Sequence, residues 1–127
     1  MTRFMLDSTF VIDYLRDDPI AVSRFARFFA DGDDVLINEI VVCEVRAGLS
    51  DAAVALFDAV LEPTEFVQPG PGAAMIAGEW RAQARRRGRT LSLADALVAS
   101  AADASQATVL TRNVRDLSLA PVRVESY

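Results

Sequence analysis

Histidine is absent from the 127-residue sequence, cysteine occurs once, at Cys43, and all 13 basic residues are arginine. Without histidine neither a Cys/His zinc site nor a histidine-based nucleophilic triad can be built. A lone cysteine forms no internal disulfide. Without lysine there is no Schiff base and no phosphate-binding lysine of a P-loop. Long hydrophobic runs are missing too: no uncharged stretch approaches the ~20 residues of a membrane span. The start, Met1-Thr2-Arg3-Phe4-Met5-Leu6-Asp7, lacks the apolar stretch and small-residue cleavage site of a secretory leader. A cytoplasmic protein with no membrane partner is expected. What remains for chemistry is carboxylate, hydroxyl and guanidinium.

Positive charge is also scarce. Eighteen acids against 13 bases leave a net charge of −5, a poor match for nucleic acid, because phosphate contacts need cations. Two arrangements would remedy this: metal ions held at an acidic centre, or a local arginine patch. Otherwise the composition is ordinary, with 52% apolar and 24% charged residues, and excludes a disordered or fibrous chain. The length suits one core, so residues 1–127 are expected to form a single domain.

Short apolar runs of β type occur at Phe4-Met5-Leu6, Val35-Leu36-Ile37, Phe66-Val67, Thr108-Val109-Leu110 and Val122-Arg123-Val124. Helical periodicity lies between them, near 9–16, 20–30, 39–48, 51–60, 73–87 and 93–106. The breakers are Asp17-Asp18-Pro19, Asp31-Gly32-Asp33-Asp34, Pro69-Gly70-Pro71-Gly72 and Gly88. This alternation predicts an α/β fold, a parallel sheet covered by helices on both faces.

Four carboxylates fall where such a sheet exposes its carboxyl edge. Asp7 directly follows the first apolar run, where open α/β sheets place ligands; it could equally cap the helix that begins behind it. Glu44 stands among Ile40, Val41, Val45 and Gly48 in a helix with Asn38 as candidate N-cap, which predicts an inward-facing carboxylate. Buried there, it needs a cation, either a metal or an internal arginine; Glu39 points elsewhere. Asp95 lies three residues after Ser92, at capping-box spacing, and in a helix otherwise small and apolar. It could cap and bind at once, helped by the helix dipole. Asp116 and Asn113 follow the run Thr108-Val109-Leu110, either as site residues or as a turn or cap. If these acids meet, they form a hard oxygen site suited to Mg²⁺ or Mn²⁺, and phosphodiester hydrolysis is the natural reaction.

Read in order, Leu6-Asp7-Ser8-Thr9-Phe10-Val11-Ile12-Asp13, Glu44-Val45-Arg46-Ala47-Gly48-Leu49, Leu93-Ala94-Asp95-Ala96-Leu97-Val98-Ala99 and Leu110-Thr111-Arg112-Asn113-Val114-Arg115-Asp116-Leu117 resemble the PIN-domain ribonucleases, specifically VapC-type toxins. The likeness runs over nearly the whole chain. It implies a PIN-like three-layer α/β/α fold with a five-stranded parallel sheet, and Mg²⁺- or Mn²⁺-dependent RNA endonuclease activity. It also implies a homodimer, a small antitoxin as inhibitor, and a toxin–antitoxin hetero-oligomer. The family's invariant acids map to Asp7, Glu44 and Asp95. Its fourth falls at Asn113 or at Asp116; the amide cannot supply charge, so Asp116 is expected as ligand and Asn113 as an outer hydrogen-bonding group. Ser8 or Thr9, together with Thr111, match polar positions that support the acidic centre, although each could simply cap a helix or a turn.

Arg81, Arg85, Arg86, Arg87 and Arg89 crowd one helix end, as an RNA-backbone contact or as a solvated end favoured by the dipole. Arg112 and Arg115, beside the proposed centre, could hold a phosphate. Phe25, Phe28, Phe29 and Phe57 are core, or, where exposed, part of a groove for an amphipathic antitoxin helix. Two rival readings stand: a catalytically weak PIN-fold binding module, which Asn113 and the acidic surface would suit, and a receiver-like signalling domain. Receivers resemble one another in a paired acidic start and a late lysine, and this sequence has neither.

Overall fold

The computed structural model describes residues 2–127. Five strands, β1 (Arg3–Leu6), β2 (Asp34–Asn38), β3 (Glu65–Val67), β4 (Thr108–Leu110) and β5 (Val124–Glu125), form one sheet in the order β3-β2-β1-β4-β5. Every pairing is parallel, and helices cover both faces, as the alternating sequence pattern requires. The last strand sits two residues beyond the expected Val122-Arg123-Val124. A short helix at Val114–Leu117, too brief to leave a periodic signature, was not anticipated.

The helices are α1 (Ser8–Leu15), α2 (Pro19–Ala30), α3 (Glu39–Ala47), α4 (Val54–Leu61, after a 3-10 turn at Asp51–Ala53), α5 (Pro71–Arg86), α6 (Leu93–Ala104) and α7 (Val114–Leu117). The starts of α2, α3 and α6 follow capping chemistry. Asp18 accepts from the N–H groups of Ile20 and Ala21 with Pro19 at the first helical position, Asn38 accepts from Val41, and Ser92 accepts from Asp95. Gly88, at φ +73°, ends α5 in a conformation that costs other residues steric strain.

The core lies between sheet and helices. Met5, Leu6, Leu36, Ile37, Val109 and Leu110 from the strands pack on Phe10, Phe28, Val41, Val45 and Val98, all essentially inaccessible. Burial of each is worth about 1.5–3 kcal/mol. Phe25, Phe28 and Phe57 belong to this core, and of the four phenylalanines weighed for a groove Phe29 is the exposed one. The aromatic surface anticipated for a partner groove is therefore mostly interior. Arg24 is buried as well, its guanidinium stacked on Phe28 at 4.4 Å and Phe4 at 4.8 Å.

Strand order decides where chemistry can sit. Chain order reverses at β1: the chain moves outward through β2 and β3, then returns to the other side of β1 as β4 and β5. Such a switch point opens a crevice at the carboxyl ends of the two flanking strands, here β1 and β4.

Candidate active site

The register of β1 and β4 pairs Leu6 with Leu110, so the residues that follow, Asp7 and Thr111, leave the sheet side by side. The Asp7 N–H donates to the Leu110 carbonyl at 3.1 Å. Asp7 is 3% exposed, and it occupies the N-cap position of α1 without its side chain capping anything, which removes the simple capping explanation. Instead Asp7 Oδ2 accepts from the Thr111 hydroxyl at 2.7 Å and the Thr9 hydroxyl at 3.1 Å. Thr111 is fully buried and its oxygen also accepts the Asn113 N–H at 2.9 Å. Both hydroxyls are directed at one carboxylate oxygen, leaving Oδ1 free of side-chain partners among the described residues. Ser8 joins no part of this network; of the two adjacent hydroxyls, Thr9 is the one used.

Asp95 arrives from the opposite chain direction. α6 feeds β4, so its C-terminal end lies at the amino edge of the sheet and its first turn, with Asp95, lies at the carboxyl edge. The side chain is half-buried and its pKa is raised above the ordinary 3.8. Desolvation is the leading cause, followed by the negative charge of Asp7; Asp116 and Glu44 add to it and a hydrogen bond with Ser92 opposes it. The four carboxylates thus share one electrostatic neighbourhood. Among the described residues, however, no three of them close around a single point as a finished ligand cage would.

Glu44 departs from expectation. Val41 and Val45 are the buried residues of α3, and Glu44, one position before Val45, lies on the exposed flank of that stripe. It therefore needs no internal counter-cation. Asp116, in the first turn of α7, and Asn113, the N-cap of that helix, are both exposed, and the Asn113 side chain caps nothing.

The basic side chains divide into two groups. Arg112 is not a free phosphate ligand: its guanidinium pairs with Asp13, a buried acid whose position on α1 gives no sequence signal of a role. Arg85, Arg86, Arg87, Arg89 and Arg115 are exposed and unpaired among the described residues. Arg89 and Arg115 line one recess of about 230 Å³ together with Gly88, Thr90 and Asp116, between the loop after α5 and α7.

The candidate donors are all carboxylate oxygens, buried at Asp7, half-buried at Asp95 and exposed at Glu44 and Asp116, which is the chemistry a hard divalent cation meets and a soft one does not. Asp7, with one oxygen tied down by two hydroxyls and the other open, is oriented as a metal-binding carboxylate is oriented by its outer partners. The residues present therefore fit Mg²⁺ or Mn²⁺.

A family model described as PIN domain matches residues 4–120. Ribonuclease VapC19 of Mycobacterium tuberculosis is 27% identical over 117 residues, covering 92% of this chain and 94% of that protein. Among solved structures, VapBC2 from Rickettsia felis, bound to a DNA fragment from its promoter, superposes with a TM-score of 0.87 at 22% identity, covering 99% of both chains. DNA-bound VapBC from Salmonella typhimurium superposes at 0.85 with 25% identity, over 99% of this chain and 98% of the other.

Proposed function

The chain belongs to the PIN-domain family, and from that premise we propose that it is a divalent-metal-dependent endoribonuclease, the toxin of a toxin–antitoxin pair. The observation that carries the reading is Asp7, 3% exposed at the switch point of the sheet, with one carboxylate oxygen held by Thr9 and Thr111 and the other open, and close enough to Asp95 to help raise that acid's pKa. A fold gains nothing from clustering like charges unless something positive is meant to join them.

In this reading Asp7, Asp95, Glu44 and Asp116 hold Mg²⁺ or Mn²⁺, which when bound supplies positive charge to activate water and to offset charge on the departing oxygen. The chain's own groups do the positioning. Thr9 and Thr111 fix the Asp7 carboxylate, so little reorganisation is needed when a cation arrives. Asn113, at the mouth of the site, is the outer hydrogen-bonding group. Arg115 and Arg89 receive an RNA phosphate in their shared recess, and Arg85 and Arg86 extend the track along the end of α5. Asp116 lines the same recess and would repel a phosphate while unneutralised, so RNA and cation are expected to bind together.

The partners follow from the family and from the surface. Ile12, Leu15, Val45 and Leu49 line a recess of about 360 Å³ between α1 and α3, of the kind that accepts apolar anchors of an antitoxin helix. Met75 and Ile76 on α5 and Leu93 at the start of α6 are exposed apolar side chains, suited to a homodimer contact. Among the described residues no helix is long and apolar enough to cross a membrane. A single domain over residues 1–127, working in the cytoplasm, completes the reading.

The test is direct. The purified chain, freed of any partner, is expected to cut RNA with Mg²⁺ or Mn²⁺, and Asp7→Asn or Asp95→Asn is expected to abolish cutting while the native circular dichroism spectrum is retained. Normal cutting by both variants would refute the assignment. The exposed positions of Glu44 and Asp116 favour one alternative, a binding module of the same fold; that alternative predicts no cation-dependent cleavage by the wild-type chain.

A further inference from the structure

Asp13 is a buried acid that the proposed chemistry does not use. It is 7% exposed, and a carboxylate removed from water costs several kcal/mol unless it is paired and hydrogen-bonded. Two side chains from distant parts of the sequence meet that need. The Tyr127 hydroxyl donates to Asp13 Oδ2 at 2.5 Å, with its ring edge-on to Phe10 at 4.9 Å. The Arg112 guanidinium pairs with the same oxygen, although the Arg112 side chain is 58% exposed and would be well solvated without the pair. The contact therefore satisfies Asp13 more than Arg112, and its consequence is that the loop carrying Arg112 is tied down.

What that loop carries gives the pair a purpose. Thr9 and Asp13 are four residues apart on α1, one turn, and so present their side chains on the same face. Both grip Arg112: Thr9 Oγ1 accepts its backbone N–H at 3.2 Å, and Asp13 takes its guanidinium. Immediately before Arg112 is Thr111, whose hydroxyl orients Asp7; immediately after is Asn113, whose N–H donates to that same hydroxyl. Then comes α7 with Asp116.

We propose that Asp13 is a positioning residue of the active site: with Thr9 it forms a two-point clamp, one helical turn apart, that holds the Thr111-Arg112-Asn113 loop against Asp7, and the Tyr127 hydroxyl seats the deeper of the two points. The proposal rests on the nuclease reading for its purpose, but the clamp itself is a structural claim that can be read without activity. A charge at position 13 acts through Arg112 and never touches substrate.

The experiment compares wild type, Asp13→Asn and Arg112→Gln in the full chain. Hydrogen exchange at the Arg112 and Asn113 amides, measured without metal, is expected to rise about tenfold in both variants while β1 and β2 amides keep their protection. Titration with Mn²⁺ alone is expected to show a dissociation constant about tenfold weaker, in the range found when outer partners of metal ligands are removed. Cleavage is expected to lose kcat with KM for RNA unchanged. Unchanged exchange and unchanged Mn²⁺ affinity in the two folded variants would overturn the clamp. If Asp13→Asn fails to fold, Arg112→Gln decides by the same readings, since it leaves the Tyr127 hydroxyl donating to Asp13. An Arg112→Gln chain that binds RNA more weakly, with normal exchange and normal Mn²⁺ affinity, would make Arg112 a substrate contact and also overturn the proposal. A wild type that neither binds Mn²⁺ nor cuts RNA sinks the nuclease reading, and the exchange measurement still decides the clamp.

Discussion

Replacing Thr111 by valine keeps the β-branched shape in a fully buried position and deletes the hydroxyl that donates to Asp7 Oδ2 at 2.7 Å and accepts from the Asn113 N–H at 2.9 Å. The Asn113 amide lies at an exposed turn and recovers a water, so its loss costs little. The Asp7 carboxylate is almost wholly buried and loses its shorter hydroxyl partner. A hydrogen bond to a charged group contributes about 1.5–3 kcal/mol, which sets the expected destabilisation near ~2 kcal/mol. With an unfolding entropy of roughly 2.1 cal/mol/K per residue, a chain of this length melts about 7 °C lower for that loss. Thermal unfolding followed by circular dichroism in EDTA reads it. In an Asp7→Asn background the carboxylate charge is gone, and the same substitution is expected to cost only about 1 kcal/mol, the difference being the coupling between the two groups. A fall of less than about 2 °C, or equal losses in the two backgrounds, would refute the claim that Thr111 serves the Asp7 charge.

Asp95 gives a pH-dependent test. Its pKa is raised above 3.8, chiefly by desolvation and then by Asp7, so the stability its protonated form contributes is fully present below that value and is lost as pH rises through the folded-state pKa. The metal-free chain is therefore expected to lose stability across that window, Asp95→Asn to flatten the slope and raise the neutral-pH melting temperature, and Mn²⁺ to stabilise wild type but not the variant. For the arginines, Arg89→Ala with Arg115→Ala is expected to reduce the salt dependence of RNA binding by about 1.4 in log–log slope, from roughly 0.7 per single-strand phosphate contact. Fluorescence anisotropy on the Asp7→Asn chain measures it, and an unchanged slope would remove the recess from the RNA path.

Much of the architecture was legible because it rests on local patterns. Alternating apolar runs and helical periods placed all five strands and six helices near where they lie, and Asn38 and Ser92 cap as their positions predicted. The position of Asp7 was legible for the same reason, since it directly follows a strand that sequence alone delineates; Asp116 lies in α7, which left no periodic signature. The Glu44 orientation was not. It sits one residue from a buried valine, and a rotation of one position around a helix, 100°, separates inside from outside; only packing of α3 on the sheet fixes that angle. Phe25, Phe28 and Phe57 likewise were ambiguous until the core closed around them.

Composition alone set the chemistry available: with neither histidine nor lysine, one cysteine and acids following apolar runs, any site is restricted to hard oxygen donors and arginine. Tertiary structure alone decided which groups meet. The Leu6–Leu110 register brings Thr111 to Asp7 across 104 positions of chain, and folding of the 112–127 region brings Arg112 and Tyr127 to Asp13. Pairings at that separation carry no periodic signal, because they depend on strand order and on the burial of a charge that must find its partners wherever the fold delivers them.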